Sequence, residues 1–370
     1  MEKPGFYVRD VIHGHVYMTA LEKKIIDTVE FQALRGVKQL GHSYLVYPGS
    51  THSRFEHSIG VGHMTGKVID LLEDTQQKLG ESPLFTKRER ELLKIAGLTH
   101  DFGHLCDSHL FDEIAVELGL DEKIRNHEDR SCILVDHVVT KYHLPITKSE
   151  VQFIAQIIKG ESQGSEKAYM FEIVANHFSS VDIDKEYVTR DAFYCGFKRE
   201  VDFVRLYQSA RVIKTSDGKY HIVFHEKTAP IITDLFELRA KMFKEVYCHK
   251  TVMKIKSMLC EMHKHMNQVF HYDQIFKKPD QAWRLFFTDH LYHALEVLPV
   301  THKRRTTSKS KKHLEAARAL YHKIARRELD ELKVNVEDML QDKQKIIEQA
   351  LSSILFYRKN TIEVKHFCQL

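Results

Sequence analysis

The sequence is poor in the residues that turn a chain. Its 370 residues include 16 glycines and 7 prolines, about half the average usage of roughly 12% for the two together. Sandwiches, barrels and solenoids spend both freely at their turns, so a helix-rich chain is expected instead. No apolar run approaches the ~18 residues of a membrane-spanning helix. The opening Met1-Glu2-Lys3-Pro4-Gly5 lacks the apolar core of a signal peptide. Neither a membrane nor a secreted location is expected; the nucleus or cytoplasm is. Six cysteines are scattered with no Cys-x-x-Cys, and read as buried thiols, not as disulfides or zinc ligands. Charge is close to balanced, 55 Lys+Arg against 51 Asp+Glu, which excludes a polypeptide that coats nucleic acid by charge alone. What the chain has in excess is histidine, 25 residues.

Apolar positions Leu21, Ile25, Phe31, Leu34, Val37 and Leu40 fall mostly three or four apart, with a break at Asp27-Thr28, where Thr28 can cap a second helix. Turn residues from Tyr47 to Arg54 precede a helix predicted from Phe55 to Glu73. Glu91–His100 reads as a buried helix, and shorter helical patterns fill Phe111–Leu118, His127–Lys141, Glu150–Ile158 and Phe171–Asn176. The one strand signal, Val212–Phe224, flanks Asp217-Gly218, a hairpin turn pair. Helical spacing returns over Ile231–His265 and Leu329–Phe356. A basic, Ser/Thr-rich stretch at 301–312 marks a linker between a core at 1–300 and a helical lobe at 313–370. Its lysines and arginines suit a solvated loop, a nuclear-localisation patch or a nucleic-acid contact. The expected fold is mainly α, with one small β-hairpin and a minor C-terminal helical lobe.

Three clusters carry chemistry: Arg54-Phe55-Glu56-His57-Ser58; His100-Asp101-Phe102-Gly103-His104 with Ser108-His109 and Asp112; and Asp182-Ile183-Asp184-Lys185 with Tyr187, Arg190 and Asp191. Adjacent helical residues point about 100° apart, so His100 and Asp101 share a ligand only near a helix end, where Gly103 puts them. Imidazole plus carboxylate is a donor set for iron, manganese or zinc. With His57 and one aspartate of the third cluster, four ligands would leave positions open, the mark of a catalytic metal site. An isolated His-Asp pair is commonplace, and a His after a helix start is more often a cap or surface residue. The coincidence of both on a buried helix, with more histidines beside them, favours a metal.

The pattern His57…His100-Asp101…Asp184 resembles the HD-domain superfamily of metal-dependent phosphohydrolases. Asp10-Val11-Ile12-His13-Gly14-His15, Lys38-Gln39-Leu40-Gly41, Tyr47-Pro48-Gly49, Arg54-Phe55-Glu56-His57-Ser58 and Ser108-His109 narrow it to the HD-domain deoxynucleoside triphosphate (dNTP) triphosphohydrolases. The likeness reaches, more thinly, to about Lys333. It covers the HD core alone, and the SAM domain found in one branch of that family is expected to be absent.

The resemblance implies that His57, His100, Asp101 and Asp184 hold the metal. A metal-bound hydroxide would attack the α-phosphorus of a dNTP, releasing deoxynucleoside and tripolyphosphate. It implies His109 as the acid for the leaving oxygen, oriented by Asp112, with His104 and His127 as rivals and Glu128 in support. Arg54, Lys185 and Arg239 would meet the phosphates; Gln39, Leu40, Tyr187, Asp191 and Tyr247 would line the sugar pocket, Leu40 and Tyr247 crowding a 2′-hydroxyl. The segment Asp184-Lys185-Glu186-Tyr187 is one residue shorter than the family pattern. Either the following helix starts later or Asp182 replaces Asp184.

Activation by guanine nucleotide (GTP or dGTP) and dNTPs, with Mg accompanying the nucleotides, is implied together with a homo-oligomer, dimer to tetramer. The guanine positions would be Asp27, Gln32, Arg35 and Arg327, although Asp27 alone reads equally as a helix cap. The adjoining dNTP positions would be Arg205, Lys227, His249 and Lys250, with Glu245 standing where an arginine is expected. Two other functions stand as alternatives: an HD phosphohydrolase on another nucleotide or on single-stranded nucleic acid, and a weakly catalytic nucleotide sensor or nucleic-acid-binding protein.

Overall fold

In the computed structural model, residues 5–177, 179–277, 288–297, 308–331, 355–358 and 361–366 are described. Strands Phe6–Asp10 (β1) and Gly14–Met18 (β2) form an antiparallel hairpin with Val8 opposite Val16. The sequence reading placed no strand here. The turn has no Asn-Gly or Asp-Gly pair; instead the Asp10 carboxylate accepts from the backbone N–H groups of Ile12 and His13, each at 2.8 Å, and Gly14 takes φ +72°, a conformation glycine adopts freely.

Thr19 caps Ala20–Ile26 (α1), and Thr28 caps Val29–Ala33 (α2) by accepting from the Phe31 N–H at 3.2 Å. The break falls at Asp27-Thr28 as the spacing predicted. A 3-10 turn at Gly41–Leu45 leads to Arg54–Lys78 (α3) and then Lys87–Thr99 (α4). These two helices pack closely because Gly97 leaves room for Thr65: a Cβ there would lie 2.3 Å from Thr65 Oγ1. His109–Glu117 (α5), His127–Lys141 (α6) and Lys148–Ile158 (α7) follow, with α7 laid against α4 and α6. The expected helix over Phe171–Asn176 is not formed. Phe171, Ile173 and Val174 are all buried, so the segment has no polar face for a helix, and it runs as turns after a 3-10 turn at Ala168–Met170.

Glu186–Tyr194 (α8) and Phe203–Tyr207 (α9) precede the predicted hairpin, Ala210–Lys214 (β3) with Tyr220–His225 (β4). The long pattern from Ile231 divides into Ala229–Met242 (α10), a π-helical turn at Phe243–Tyr247 and Lys250–Phe270 (α11). Tyr272–Phe276 (α12), His290–Val297 (α13) and Ser308–Arg326 (α14) follow, and α14 packs on α11. Residues 308–312, read from sequence as the end of the linker, are therefore helical; 301–307 lie outside the described residues, as does most of the helical pattern at Leu329–Phe356. The tail also contains strands, Leu355–Arg358 (β5) and Thr361–His366 (β6), which extend the second hairpin in the order β3-β4-β5-β6, β5 running parallel to β4. Among the described residues no helix is long and apolar enough to cross a membrane.

Two polar clamps fix the helices that carry the site. Arg190 of α8, fully buried, is held by Asp10 (Nη1 to Oδ2, 2.9 Å) and Glu186 (Nη2 to Oε1, 2.6 Å). Arg88 of α4 donates to Glu150 of α7 at 2.6 and 3.0 Å. Replacing Arg190 by Met strands two buried carboxylates and should cost ~3–5 kcal/mol in urea unfolding, with the slope unchanged. The Arg88 guanidinium, outweighing partial burial, lowers the Glu150 carboxyl to about 2. Its contribution is therefore full above the ordinary pKa near 4.5 and lost as pH falls from there towards 2. Glu150→Gln should remove roughly 1 kcal/mol of that acid-side dependence, discounted for partial exposure, as read from unfolding curves between those pH values.

Candidate metal centre and nucleotide pocket

The site is built where helices begin and end. Arg54 and His57 lie in the first turn of α3, three residues apart and so on one face. α4 stops at Thr99, which frees His100 and Asp101 to point into the same cavity. Asp184 stands two residues ahead of α8, so the helix does start late and the shortened segment is absorbed in the turn before it.

His57 Nε2 and His100 Nε2 face each other at 3.2 Å, and Asp184 Oδ1 is 3.2 Å from both. Asp101 completes the ring: Oδ2 is 3.4 Å from His57 Nε2 and Oδ1 is 3.5 Å from His100 Nε2. Donors ~2.1 Å from one metal, in octahedral to tetrahedral geometry, lie ~3.0–3.4 Å from one another. His57, His100 and Asp184 thus converge as a divalent cation requires, with Asp101 beside them. Asp182, the alternative ligand, points elsewhere, accepting from the Asn176 N–H at 3.0 Å and from Lys185 Nζ at 3.1 Å.

A second group adjoins the first through Asp101. His104 Nε2 is 3.4 Å and His127 Nε2 3.9 Å from Asp101 Oδ1. The rings of His104 and His127 stack with centroids 3.9 Å apart, and His109 sits edge-on to both. The i,i+3 spacing led to the expectation that Asp112 orients His109. Its carboxylate lies 3.8 Å from His109 Nδ1 and also meets His127 Nδ1, at 2.8 Å, and Arg130. His109 is the open member, its side chain 63% exposed. Glu128 lies 3.5 Å from His127 Nε2.

Charge follows this geometry. Burial would raise the Asp101 carboxyl, but Arg54, His100 and His104 hold it well below the usual range. Burial likewise works against Asp184, and His100, His57 and Lys185 keep it well below. Burial would lower the His57 imidazole, but bonds to Asp184 and Glu186 lift it to about 9. His104 is pushed well down, first by burial and then by Arg54 and His127. The result is a partly enclosed site with ionised carboxylates and converging nitrogens, an environment that a divalent cation relieves.

Arg54 does not point at open space. It donates to Asp101 Oδ2, to Ser108 Oγ and, at 3.4 Å, to the Gln39 carbonyl, which makes it the counter-ion of a ligand carboxylate. Lys185 is paired with Asp182. The Arg239 Nε–H donates to Tyr187 OH at 2.8 Å, and Tyr247 OH donates to Asp191 Oδ2 at 2.7 Å. The Tyr187 ring is 6.4 Å from that of His57 and 6.5 Å from that of Tyr247, so these four residues make one wall beside the metal ligands. Gln39 is buried with an unbonded Oε1, and Leu40 is half-buried against the core.

The residues expected to bind activating nucleotides are engaged within the chain. Gln32 donates to the Ile26 carbonyl and accepts from Arg35 Nε, both at 2.8 Å. Arg35 stacks on Phe55, and Asp27 ends α1 and pairs with Lys23. Arg327 donates to the Leu45 carbonyl at 3.1 Å, and within the described chain no polar bond joins it to the other three. Arg205, Lys227 and Lys250 are exposed, and His249 is half-buried.

Sequence reasoning missed the ring outside the ligands. Glu186 Oε2 is 3.0 Å from His57 Nδ1, and Glu186 Oε1 is 2.8 Å from His13 Nε2, which fixes the imidazole whose other nitrogen faces the cavity. His52 in the same way holds Asp191 at 2.7 Å. The i,i+4 pair Glu186 and Arg190 beside Asp184 was the available signal. Glu186→Gln should weaken metal affinity ~10–100-fold while leaving the ligand set intact, measured by competitive metal titration.

The HD domain model matches residues 54–195. The chain is 38% identical over 261 residues to the deoxynucleoside triphosphate triphosphohydrolase SAMHD1 homolog of Dictyostelium discoideum, covering 70% of this chain and 49% of that protein. It is 32% identical over 352 residues to the Gallus gallus SAMHD1 (86% and 54%), and 33% over 279 residues to that of Homo sapiens (69% and 43%). The chain thus spans about half the length of the curated relatives it matches.

Proposed function

We propose that the chain, whose residues 54–195 match the HD domain, is an HD-domain dNTP triphosphohydrolase that cleaves dNTPs to deoxynucleoside and tripolyphosphate by attack of water at the α-phosphorus. The observation that carries this reading is the shared position of Asp101, between the His57/His100/Asp184 donors and the His104/His109/His127 cluster.

His57, His100, Asp101 and Asp184 would hold the divalent metal, iron, zinc or manganese, which when bound supplies a Lewis acid and acidifies water. Arg54 keeps Asp101 ionised and oriented. Lys185 and Arg239 are the cations left to meet the triphosphate. His109, open to the cavity, is placed to give a proton to the leaving 5′-oxygen, while the neighbouring His127 is held by Asp112. Tyr247, pinned by Asp191 and through it by His52, makes a rigid wall that with Leu40 excludes a 2′-hydroxyl. Gln39 and Tyr187 complete the sugar pocket. Regulation is proposed to run through GTP or dGTP at Asp27, Gln32, Arg35 and Arg327 and a dNTP at Arg205, Lys227, His249 and Lys250, brought together in a homo-oligomer.

Incubation with dATP or dTTP and Mg, with and without GTP, followed by ion-pair chromatography, should give deoxynucleoside and tripolyphosphate. Asp101→Ala should abolish turnover together with the metal held by His57, His100 and Asp184. His109→Ala should lose ~10²–10⁴-fold in turnover with the metal retained. A wild-type protein that holds metal and nucleotide yet releases nothing would be a sensor instead.

A further inference from the structure

We propose that Cys106, Asp107 and His263 form a second, buried divalent-cation site that ties the loop carrying His104 and His109 to α11. It shares no residue with the HD ligands. Cys106 Sγ, an Asp107 carboxylate oxygen and a His263 ring nitrogen all lie within 4.8 Å of one another. Cys106 and His263 are fully buried and Asp107 is 4% exposed. His263 Nε2 is 3.0 Å from Asp107 Oδ2, which also accepts from Tyr292 OH. On the other side, His42 Nδ1 stands 2.6 Å from Asp107 Oδ1, without the direction a hydrogen bond needs. Neither of those two atoms has a hydrogen bond among the described residues.

The backbone is bent to make this possible. Asp107 and Ser108 take φ +65° and +59°, two successive left-handed residues without glycine, at ~1–3 kcal/mol each. In an extended chain neighbouring side chains point to opposite sides; the reversal at 107 lets Cys106 and Asp107 share one pocket. Burial first, and then the Asp107 carboxylate, push the Cys106 thiol well above its ordinary range. Thiolate and carboxylate side by side in a dry cavity repel, and a divalent cation turns that repulsion into coordination, with the thiol proton released to solvent. One sulfur, one oxygen and one imidazole nitrogen, with a fourth position left for water, are a donor set for zinc.

The site would brace catalysis without entering it. Ser108 accepts from Arg54 and donates to the Gln39 carbonyl at 3.0 Å, so fixing Asp107 fixes the loop beneath Asp101. Its residues have no motif spacing, so the sequence alone assigns Cys106 to the inert thiols.

The test uses the full chain, stripped of metal and titrated with Co²⁺. A sulfur-to-cobalt charge-transfer absorption in the near ultraviolet reports a thiolate ligand, and the HD ligands contain no sulfur. The absorption should appear with one equivalent per chain, persist in Asp101→Ala and vanish in Cys106→Ser. Zinc binding to this site should weaken at least ~10-fold in Cys106→Ser. Folded wild-type protein without the absorption would overturn the proposal, and this arm stands even if Cys106→Ser does not fold. An undiminished absorption in Cys106→Ser would also overturn it.

Discussion

One buried carboxylate organises the molecule's chemistry. Asp101 is 3% exposed, with the Arg54 guanidinium on one oxygen and imidazoles of His57, His100, His104 and His127 within 3.9 Å of its atoms. A charge this deep is tolerable only with partners in place, and those partners come from the start of α3, the end of α4, the start of α6 and the loop between. Helix ends supply the arrangement because only there do consecutive residues leave the 100° stagger that would send His100 and Asp101 apart.

Outside that ring, a second layer of charges carries the constraint to the edges of the fold. Glu186 holds His57, Arg190 holds Glu186, and Asp10 holds Arg190. The N-terminal hairpin is thereby part of the support of a donor imidazole. Helix ends act again at Asp184: α8 begins at Glu186, and the turn ahead of it delivers Asp184 to the two histidines.

Much of this was legible in the residues. Apolar spacing located the helices, Thr28 marked a cap, Asp217-Gly218 marked a hairpin, and the His and Asp clusters pointed to a cation. The misses share a cause. The β1–β2 turn depends on Asp10, whose partner Arg190 is 180 residues away. β5 forms by pairing onto β4, a partner more than a hundred residues earlier, and β6 pairs back onto β5. Asp112 meets His127 as well as His109, and Arg54 turned inward to Asp101, because tertiary neighbours add to what local spacing offers. Periodicity reports faces of one element, and these choices are made between elements.

Where water adds is the central claim, and isotope labelling reads it directly. Hydrolysis of a dNTP by the wild-type chain in heavy-oxygen water, followed by mass spectrometry of both products, should put one label in the tripolyphosphate, on the phosphorus that was α, and none in the deoxynucleoside. Label in the 5′-hydroxyl of the deoxynucleoside, or in free orthophosphate, would contradict the account.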